Sequence, residues 1–577
     1  SRSFVWRGSG DSRDLYRVVR RQRQMGIRAS FNNKLKKPLA QWAHADQRGF
    51  VATRQGLANV VEVDTAARLV DLGGRPLALP AMLLFDFAAA FPSVAHAFLM
   101  TALKAAALNS SVLNFVSALY ANNEVYSCVG GVVSFLFPVR CGVLQGCPLS
   151  GSFFVIAINT CLLLLSEALP PGGVLKAFAD DIAIATPQVS SLTSFEHIFQ
   201  KFQKASNVAL NPRKSILIPL GARFCPVLAE QYSGFLARCV PRWRDFVVAP
   251  FGVYLGFAVG PGAASALWAK AVSKWGARSL ALGAAGVAPS LSVKLYNSRA
   301  LPTIGYLAQL CPLPANFDKT EQPALQRIFY FGHNTLPRAS FFNLSRVGAA
   351  QPSSARVLSF AARYRTATKT VPQWRACRLA LDEFRIPGLP GLLGPVRWFG
   401  GRASLRPAHS PPWWDTRPFA DTLHDAAAGF PDDFADLAQH IAARRAREPA
   451  KGCQQAAALV LHSRLFPDTF AHEMARRIVL WLPEAGPACA LLPGIRTAMS
   501  AARSLPPAVG LALARAWCNG WNTSFRRHIA VSRCLFVCRR EADTLAHYAQ
   551  CSALAAHRDD RPPTICPVYT SAAADDL

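Results

Sequence analysis

The sequence predicts an α+β fold, a small sheet carrying helices on one face. Three observations lead there. Runs of strand character, "LPAMLLFDF", "EVYSCVGGVVSFLFPV" and "VLKAFADDIAIA", alternate with the helical spacing of "SVAHAFLMTALKAA" and "LSGSFFVIAINTCLLLLSEAL". The second run is broken at its middle by Gly130–Gly131, the signature of a two-residue hairpin turn. An apolar content of 51% against 17% charged residues describes a folded chain, and 577 residues supply a large core with room for several domains.

Taken in order, the first forty residues are basic, "RDLYRVVRRQRQMGIRASFNNKLKKP". They read as a solvated arm, a phosphate-contacting segment or a nuclear-import signal, and composition does not separate these. The strand "LPAMLLFDF" ends at Asp86, and Ser93 is placed to cap the helix that follows. The apolar run Phe153–Leu165 is too short for a bilayer and contains Asn159 and Thr160, so it predicts a buried helix. Residues 268–368 are mostly helical and basic. The Gly/Pro-rich stretch 385–414 predicts a linker, and helical patterning resumes at Phe419 and runs to Ala516.

The net charge of +29 calls for a polyanionic partner. An odd count of 15 scattered cysteines suits free thiols in a reducing compartment better than a disulfide framework. No nucleotide-binding Walker loop, dinucleotide fingerprint, Ser/His/Asp triad order, endonuclease signature or RNase H domain is evident.

Two adjacent acids, Asp180 and Asp181, stand between Phe178 and Ile182 in an otherwise apolar run. Burying them unpaired would be costly. They mark a hairpin turn, or they hold a cation, or both. With Asp86 at the end of another predicted strand, the three carboxylates converge if those strands are neighbours. Converging carboxylates suit Mg²⁺, a hard cation with oxygen ligands, and two such ions serve in-line phosphoryl transfer. At the C-terminus, Cys534, Cys538, His547 and Cys551 have the spacing C-x3-C-x8-H-x3-C, which suits a closed tetrahedral Zn²⁺ site. Arg533, Arg539 and Arg540 crowd it, consistent with contact to a nucleic-acid backbone.

"LLFDFAAAFPSV", "CGVLQGCPLSGSFF" and "AFADDIAIA", in that order, resemble the palm motifs of reverse transcriptases, those of non-LTR (LINE-type) retrotransposons most of all. "QRGFVATRQGLANVVEVD" upstream resembles that family's fingers, and "SNVALNPRKS" and "VYLGFAVG" downstream resemble its lysine motif and primer grip. The Cys/His cluster resembles the family's CCHC zinc knuckle, where C-x2-C is more usual. Pro92 stands where the family often has a further acid that is not a metal ligand.

The resemblance implies a right-hand polymerase fold of fingers, palm and thumb, followed by a helical region and a zinc knuckle. It implies an RNA-directed DNA polymerase of a non-LTR retroelement that extends a primer 3′-hydroxyl. The other readings are an inactive reverse-transcriptase-like nucleic-acid-binding protein and a group II intron-type maturase. Asp86 and Asp180 become the principal Mg²⁺ ligands with Asp181 in support, and Lys214 the acid for pyrophosphate. Phe91, five positions after Asp86, becomes the steric gate against a 2′-hydroxyl. Gln145 and Gly146 line the nascent base pair, and Arg54 grips the triphosphate. The partners implied are RNA template, DNA primer or target and deoxynucleoside triphosphates, with no membrane, in an intracellular setting of nucleus and cytoplasm. The expected division is a basic arm over 1–46, partial fingers and palm over 47–262, thumb over 263–370 and linker over 371–418. A helical region over 419–530 and the knuckle over 531–556 complete it.

Overall fold

Ala81–Phe85 (β1) is buried at every position, because both of its faces are covered by other elements. Around it, in the computed structural model, the strands of the described residues are Glu124–Val129 (β2), Val132–Pro138 (β3), Val174–Phe178 (β4), Asp181–Thr186 (β5), Ile216–Pro219 (β6), Val247–Val248 (β7), Gly252–Tyr254 (β8) and Phe257–Val259 (β9). The main sheet has the order β4-β5-β1-β6-β7. β1 runs antiparallel to both β5 and β6, β4 and β5 form a hairpin, and β7 joins β6 in parallel. The structure describes residues 12–73, 78–144, 146–332, 335–383, 416–430, 433, 434, 436–518, 538 and 543–551.

The chain divides into two compact units, one of residues 1–270, 309–312 and 363–438, the other of 271–308, 313–362 and 439–577. In the first unit, Leu83, Phe85, Leu175, Ile182, Ile184 and Leu217 share a core with Phe153 and Leu162 of the helix Ser150–Glu167 and with Phe195 and Phe199 of Leu192–Ser206. By length and apolarity Ser150–Glu167 is, among the described residues, the one helix able to cross a membrane. It is instead the mostly buried core helix of this sheet, as its unbroken apolar sequence predicts. The other face is not bare. The helix Gly56–Gly73 packs there on β4 and β5, its Glu62 reaching Lys176 at 2.6 Å. The expectation of helices on one face is therefore corrected: β1 has apolar residues in both registers because it has a helix layer on each side.

The hairpin β2–β3 turns at Gly130 and Gly131 with φ of 58° and 85°, the left-handed pair that favours glycine. Ser93 does not cap the following helix. It ends a short helix, Ala90–Ser93, and His96–Ala105 begins after Ala95.

The basic N-terminal stretch is a helix, Ser12–Trp42, rather than a loose arm. Leu35 and Leu39 are buried in the sheet's core, and Phe31 stacks on Phe115 at 4.7 Å. Within the expected linker, Val371–Asp382 is a helix with Trp374, Cys377 and Leu381 buried, packed on Gly56–Gly73. Residues 384–415 lie outside the described residues. After them the chain is tied to the same helix: Arg68 donates to the Thr416 carbonyl at 3.0 Å and pairs with Asp64 at 3.0 Å, and the Phe419 amide donates to Asp64 at 3.2 Å. Both ionic side chains are 2% exposed, so their charges are compensated by each other and by these peptide groups.

The second unit is helical. Its buried Glu321 is satisfied by the Tyr296 hydroxyl at 3.1 Å, the Ala355 amide at 2.8 Å and Arg338 at 3.0 Å. Helices Leu437–Arg447, Cys453–Leu465, Phe470–Trp481, Ala488–Ala502 and Pro507–Trp517 carry the chain toward the Cys/His cluster.

Candidate active site

The site follows from strand register. β1 and β5 pair with Phe85 opposite Ile182, so one step further along the same ladder Asp86 faces Asp181. β4 and β5 close with Phe178 opposite Asp181, which leaves Ala179 and Asp180 as a two-residue turn. Ala179 adopts φ 55°, a left-handed conformation that an alanine rarely takes. All three acids thus lie at one end of the central strands, as their positions in the sequence require.

Asp86 is fixed through its backbone. Its amide donates to Ser215 Oγ at 3.1 Å, and its carbonyl accepts from the Asn211 amide at 2.7 Å. Phe87 bridges Leu210, and the Ala88 amide donates to the Ala209 carbonyl at 2.9 Å. Beneath it Phe85 contacts Phe199, Trp243 and Phe246, a rigid aromatic floor. Its side-chain Oδ2 is buried with no hydrogen-bond donor. Asp180 and Asp181 are both held above the ordinary carboxylate range. Asp181 is exposed at the end of its strand, yet desolvation by its surroundings, then the charges of Asp180 and Asp86, push it up to about 6. For Asp180 the causes are desolvation and the charge of Asp86. A buried carboxylate oxygen with no donor, beside two acids that resist ionising, is an environment that a positive charge would relieve, so the residues present fit a divalent metal.

Lys214 lies in the loop that fixes Asp86, with its amide donating to the Asn211 carbonyl at 3.1 Å and its side chain exposed. Phe91 stacks on Phe154 at 4.3 Å and 14°. Residues 141–144 run against it, the Val143 amide donating to the Phe91 carbonyl at 2.9 Å and the Gly142 amide to the Val94 carbonyl at 2.8 Å. A Cβ on Gly142 would come within 2.7 Å of the Pro92 carbonyl oxygen. Gly146 has φ 79° and open space beside it, so its requirement is conformational. Gln145 lies outside the described residues.

Arg54 is a correction. Its guanidinium donates to the carbonyls of Ala40 at 2.8 Å, Ala43 at 3.2 Å and Gln47 at 2.7 Å, and also to that of His44. It closes the C-terminal end of the helix Ser12–Trp42, where unpaired carbonyls gather, and both terminal nitrogens are engaged. Phe50 is a neighbour of Phe91 that the motif comparison left unassigned. It has φ 56°, is 54% exposed and meets the Phe91 ring edge-on at 5.9 Å. The signal was Gly151, where a Cβ would come within 2.5 Å of the Phe50 ring.

In the second unit, the metal-binding atoms of Cys538, His547 and Cys551 lie within 4.8 Å of one another. Thr544 caps the short helix Leu545–Gln550 and accepts from the His547 amide at 3.0 Å, which sets the imidazole in place. Two thiols and an imidazole suit a soft or borderline cation. Cys534 lies outside the described residues.

Residues 26–227 match the family model described as reverse transcriptase (RNA-dependent DNA polymerase). The chain carries a reverse transcriptase domain. That domain begins within the segment expected to be a basic arm, consistent with the packing of Leu35 and Leu39. The fold around the main sheet is of the α+β class, with a helix layer on each side. Curated relatives are proteins of non-LTR retrotransposons. The Transposon TX1 uncharacterized 149 kDa protein of Xenopus laevis is 27% identical over 231 residues, 38% of this chain and 17% of that protein. The retrovirus-related Pol polyprotein from type-1 retrotransposable element R2 of Popillia japonica is 23% identical over 165 residues, 27% of each. The chain thus spans about a sixth to a quarter of the length of these relatives. Among solved structures, telomerase from Candida albicans with a TWJ fragment of telomeric RNA aligns at TM-score 0.31 and 12% identity, over 62% of this chain and 54% of that one. Apo telomerase from Candida tropicalis aligns at TM-score 0.29 and 11% identity, over 63% and 60%.

The acid cluster has a consequence for stability. With its folded value near 6 and an unfolded value of about 3.9, Asp181 binds a proton more tightly in the native state. Its contribution is therefore fully present below about pH 3.9 and lost as pH rises through about 6. In chelator, Asp181→Asn should melt higher than wild type at about pH 7.5, and the gap should shrink toward about pH 5. A gap independent of pH in thermal melts would remove Asp181 from the crowded cluster.

Proposed function

We propose that this chain is an RNA-directed DNA polymerase of a non-LTR retroelement, joining deoxynucleotides to a primer 3′-hydroxyl on an RNA template. The observation that carries the reading is the meeting of Asp86 with Asp180 and Asp181 at neighbouring strand ends, inside the segment matched by the reverse transcriptase family. Asp86 and Asp180, with Asp181 in support, would hold two Mg²⁺ ions, which when bound stabilise the attacking and leaving oxygens of phosphoryl transfer. Phe91, its ring braced by Phe154, would exclude a 2′-hydroxyl from the incoming sugar. Lys214 is free to bring a proton or a positive charge to the departing pyrophosphate. Gln145 and Gly146 would line the new base pair, the glycine giving its loop the left-handed turn. The net charge of +29 supports binding of template and of primer or target DNA.

Asp86→Ala and Asp180→Ala should each reduce primer extension on an RNA template to background while leaving RNA affinity unchanged. Extension by either variant at near wild-type rate would refute the assignment.

The second metal site is proposed as zinc, held by Cys538, His547 and Cys551 with Cys534 as the fourth ligand. It would serve as a closed structural site organising a nucleic-acid-gripping knuckle. Atomic absorption of purified protein should find one zinc per chain, and Cys538→Ser with Cys551→Ser should abolish it. Absence of stoichiometric zinc from the wild type would rule the site out.

A further inference from the structure

The turn that carries Asp180 is held by a residue far away in sequence. Gln47 is fully buried, and its side-chain amide grips the peptide groups of Ala179 at both ends. Gln47 Oε1 accepts from the Ala179 amide at 2.8 Å, and Gln47 Nε2 donates to the Ala179 carbonyl at 3.2 Å. The remaining lone pair of Oε1 takes the Gly49 amide at 2.7 Å, which locks the loop to the turn. The approach is close: a Cβ on Gly49 would fall 2.2 Å from the Ala179 nitrogen. Residues 46–48 run beside β4, with Gln47 bridging Ala177 and the Arg48 amide donating to the Ala177 carbonyl at 2.9 Å.

The neighbouring backbone is held in the same way. Asn59 Nδ2 donates to the Ala177 carbonyl at 2.7 Å, and the Tyr254 hydroxyl reaches the Asp181 carbonyl at 3.5 Å. The carbonyls of alternate residues 177, 179 and 181 are thus each met by a buried side chain from elsewhere in the chain. The centre of the three is where support is needed most. Ala179 is left-handed at φ 55° without being glycine, and nothing local to an alanine favours that conformation. Such a residue persists only where its surroundings over-determine it.

We propose that Gln47 is a positioning residue for metal binding. Its amide holds Ala179 in the left-handed conformation and thereby aims the Asp180 carboxylate at Asp86. The proposal rests on the reading of Asp86, Asp180 and Asp181 as the metal-binding acids. Groups that orient ligands from behind are worth about 10–100-fold in metal affinity or activity.

The test uses the full chain, with Mn²⁺ as the probe and free Mn²⁺ read by electron paramagnetic resonance without nucleotide. Gln47→Met keeps the side chain's volume and removes the amide. It should weaken Mn²⁺ binding about 10-fold or more and raise the Mg²⁺ concentration for half-maximal primer extension by a similar factor. RNA affinity should not change. Adding Ala179→Gly should recover most of the loss, since glycine takes the turn unaided. That rescue separates aim from general stability, because a merely destabilised fold would not be restored by a more flexible turn. If Gln47→Met does not fold by near-ultraviolet circular dichroism, Gln47→Asn, whose amide is withdrawn by one methylene, carries the same measurements. A folded variant with wild-type Mn²⁺ affinity, or a loss that Ala179→Gly leaves in place, overturns the proposal. If instead Asp180→Ala keeps wild-type Mn²⁺ affinity and extension, the reading of the acids fails and takes this inference with it.

Discussion

The pairing of β1 with β5 is the constraint on which the rest of the structure depends. Phe85 opposite Ile182 brings Asp86 to Asp181, and a slip of one residue would send the acids to opposite faces of the sheet. What fixes that register is burial. Leu83, Phe85, Ile182 and Ile184 point into one core, and β1 and most of β5 lie buried between helix layers. The energy for placing the acids comes from the apolar residues beside them, since burial stabilises this register and the carboxylates oppose their own proximity.

That opposition shapes the surroundings of the site. Asp180 and Asp181 resist ionisation, and Asp86 Oδ2 stands without a donor, so the acids are poised for a cation and strained without one. The fold holds them regardless, by tying the backbone instead of the carboxylates. Ser215 and Asn211 fix Asp86, and Asn59, Gln47 and Tyr254 fix alternate residues of the hairpin. Carboxylate oxygens are left for ligands while neighbouring peptide groups are held. This division is what a preorganised metal site requires.

Much of this was legible in the sequence, for identifiable reasons. The hairpins showed through apolar patterning around Gly130–Gly131 and around Asp180–Asp181, and the acids showed because charge in an apolar run is conspicuous. Other features were hidden. A basic composition concealed Leu35 and Leu39, which make the N-terminal helix part of the core. Arg54 sits in a motif-like segment, yet its guanidinium is taken by the carbonyls that end that helix, and no local pattern announces such a partner. The helix Val371–Asp382 was obscured by the Gly/Pro-rich stretch beside it, and the tie from Arg68 to Thr416 spans a separation that periodicity cannot see. Gln47 opens the segment that resembles the family's fingers, but no local pattern shows its contact with a turn 132 positions away.

The central claim is that two separate strand ends share one metal site, and iron-directed backbone cleavage tests it most directly. Fe²⁺ substituted for Mg²⁺, with ascorbate and peroxide, cuts the chain where the metal is bound. The account predicts cuts clustered next to Asp86 and in the turn at Asp180, with a weaker set in the 211–215 loop. Excess Mg²⁺ should suppress all of them together. Cuts confined to one of the two strand ends, or a pattern in which Mg²⁺ protects the two independently, would contradict a shared site.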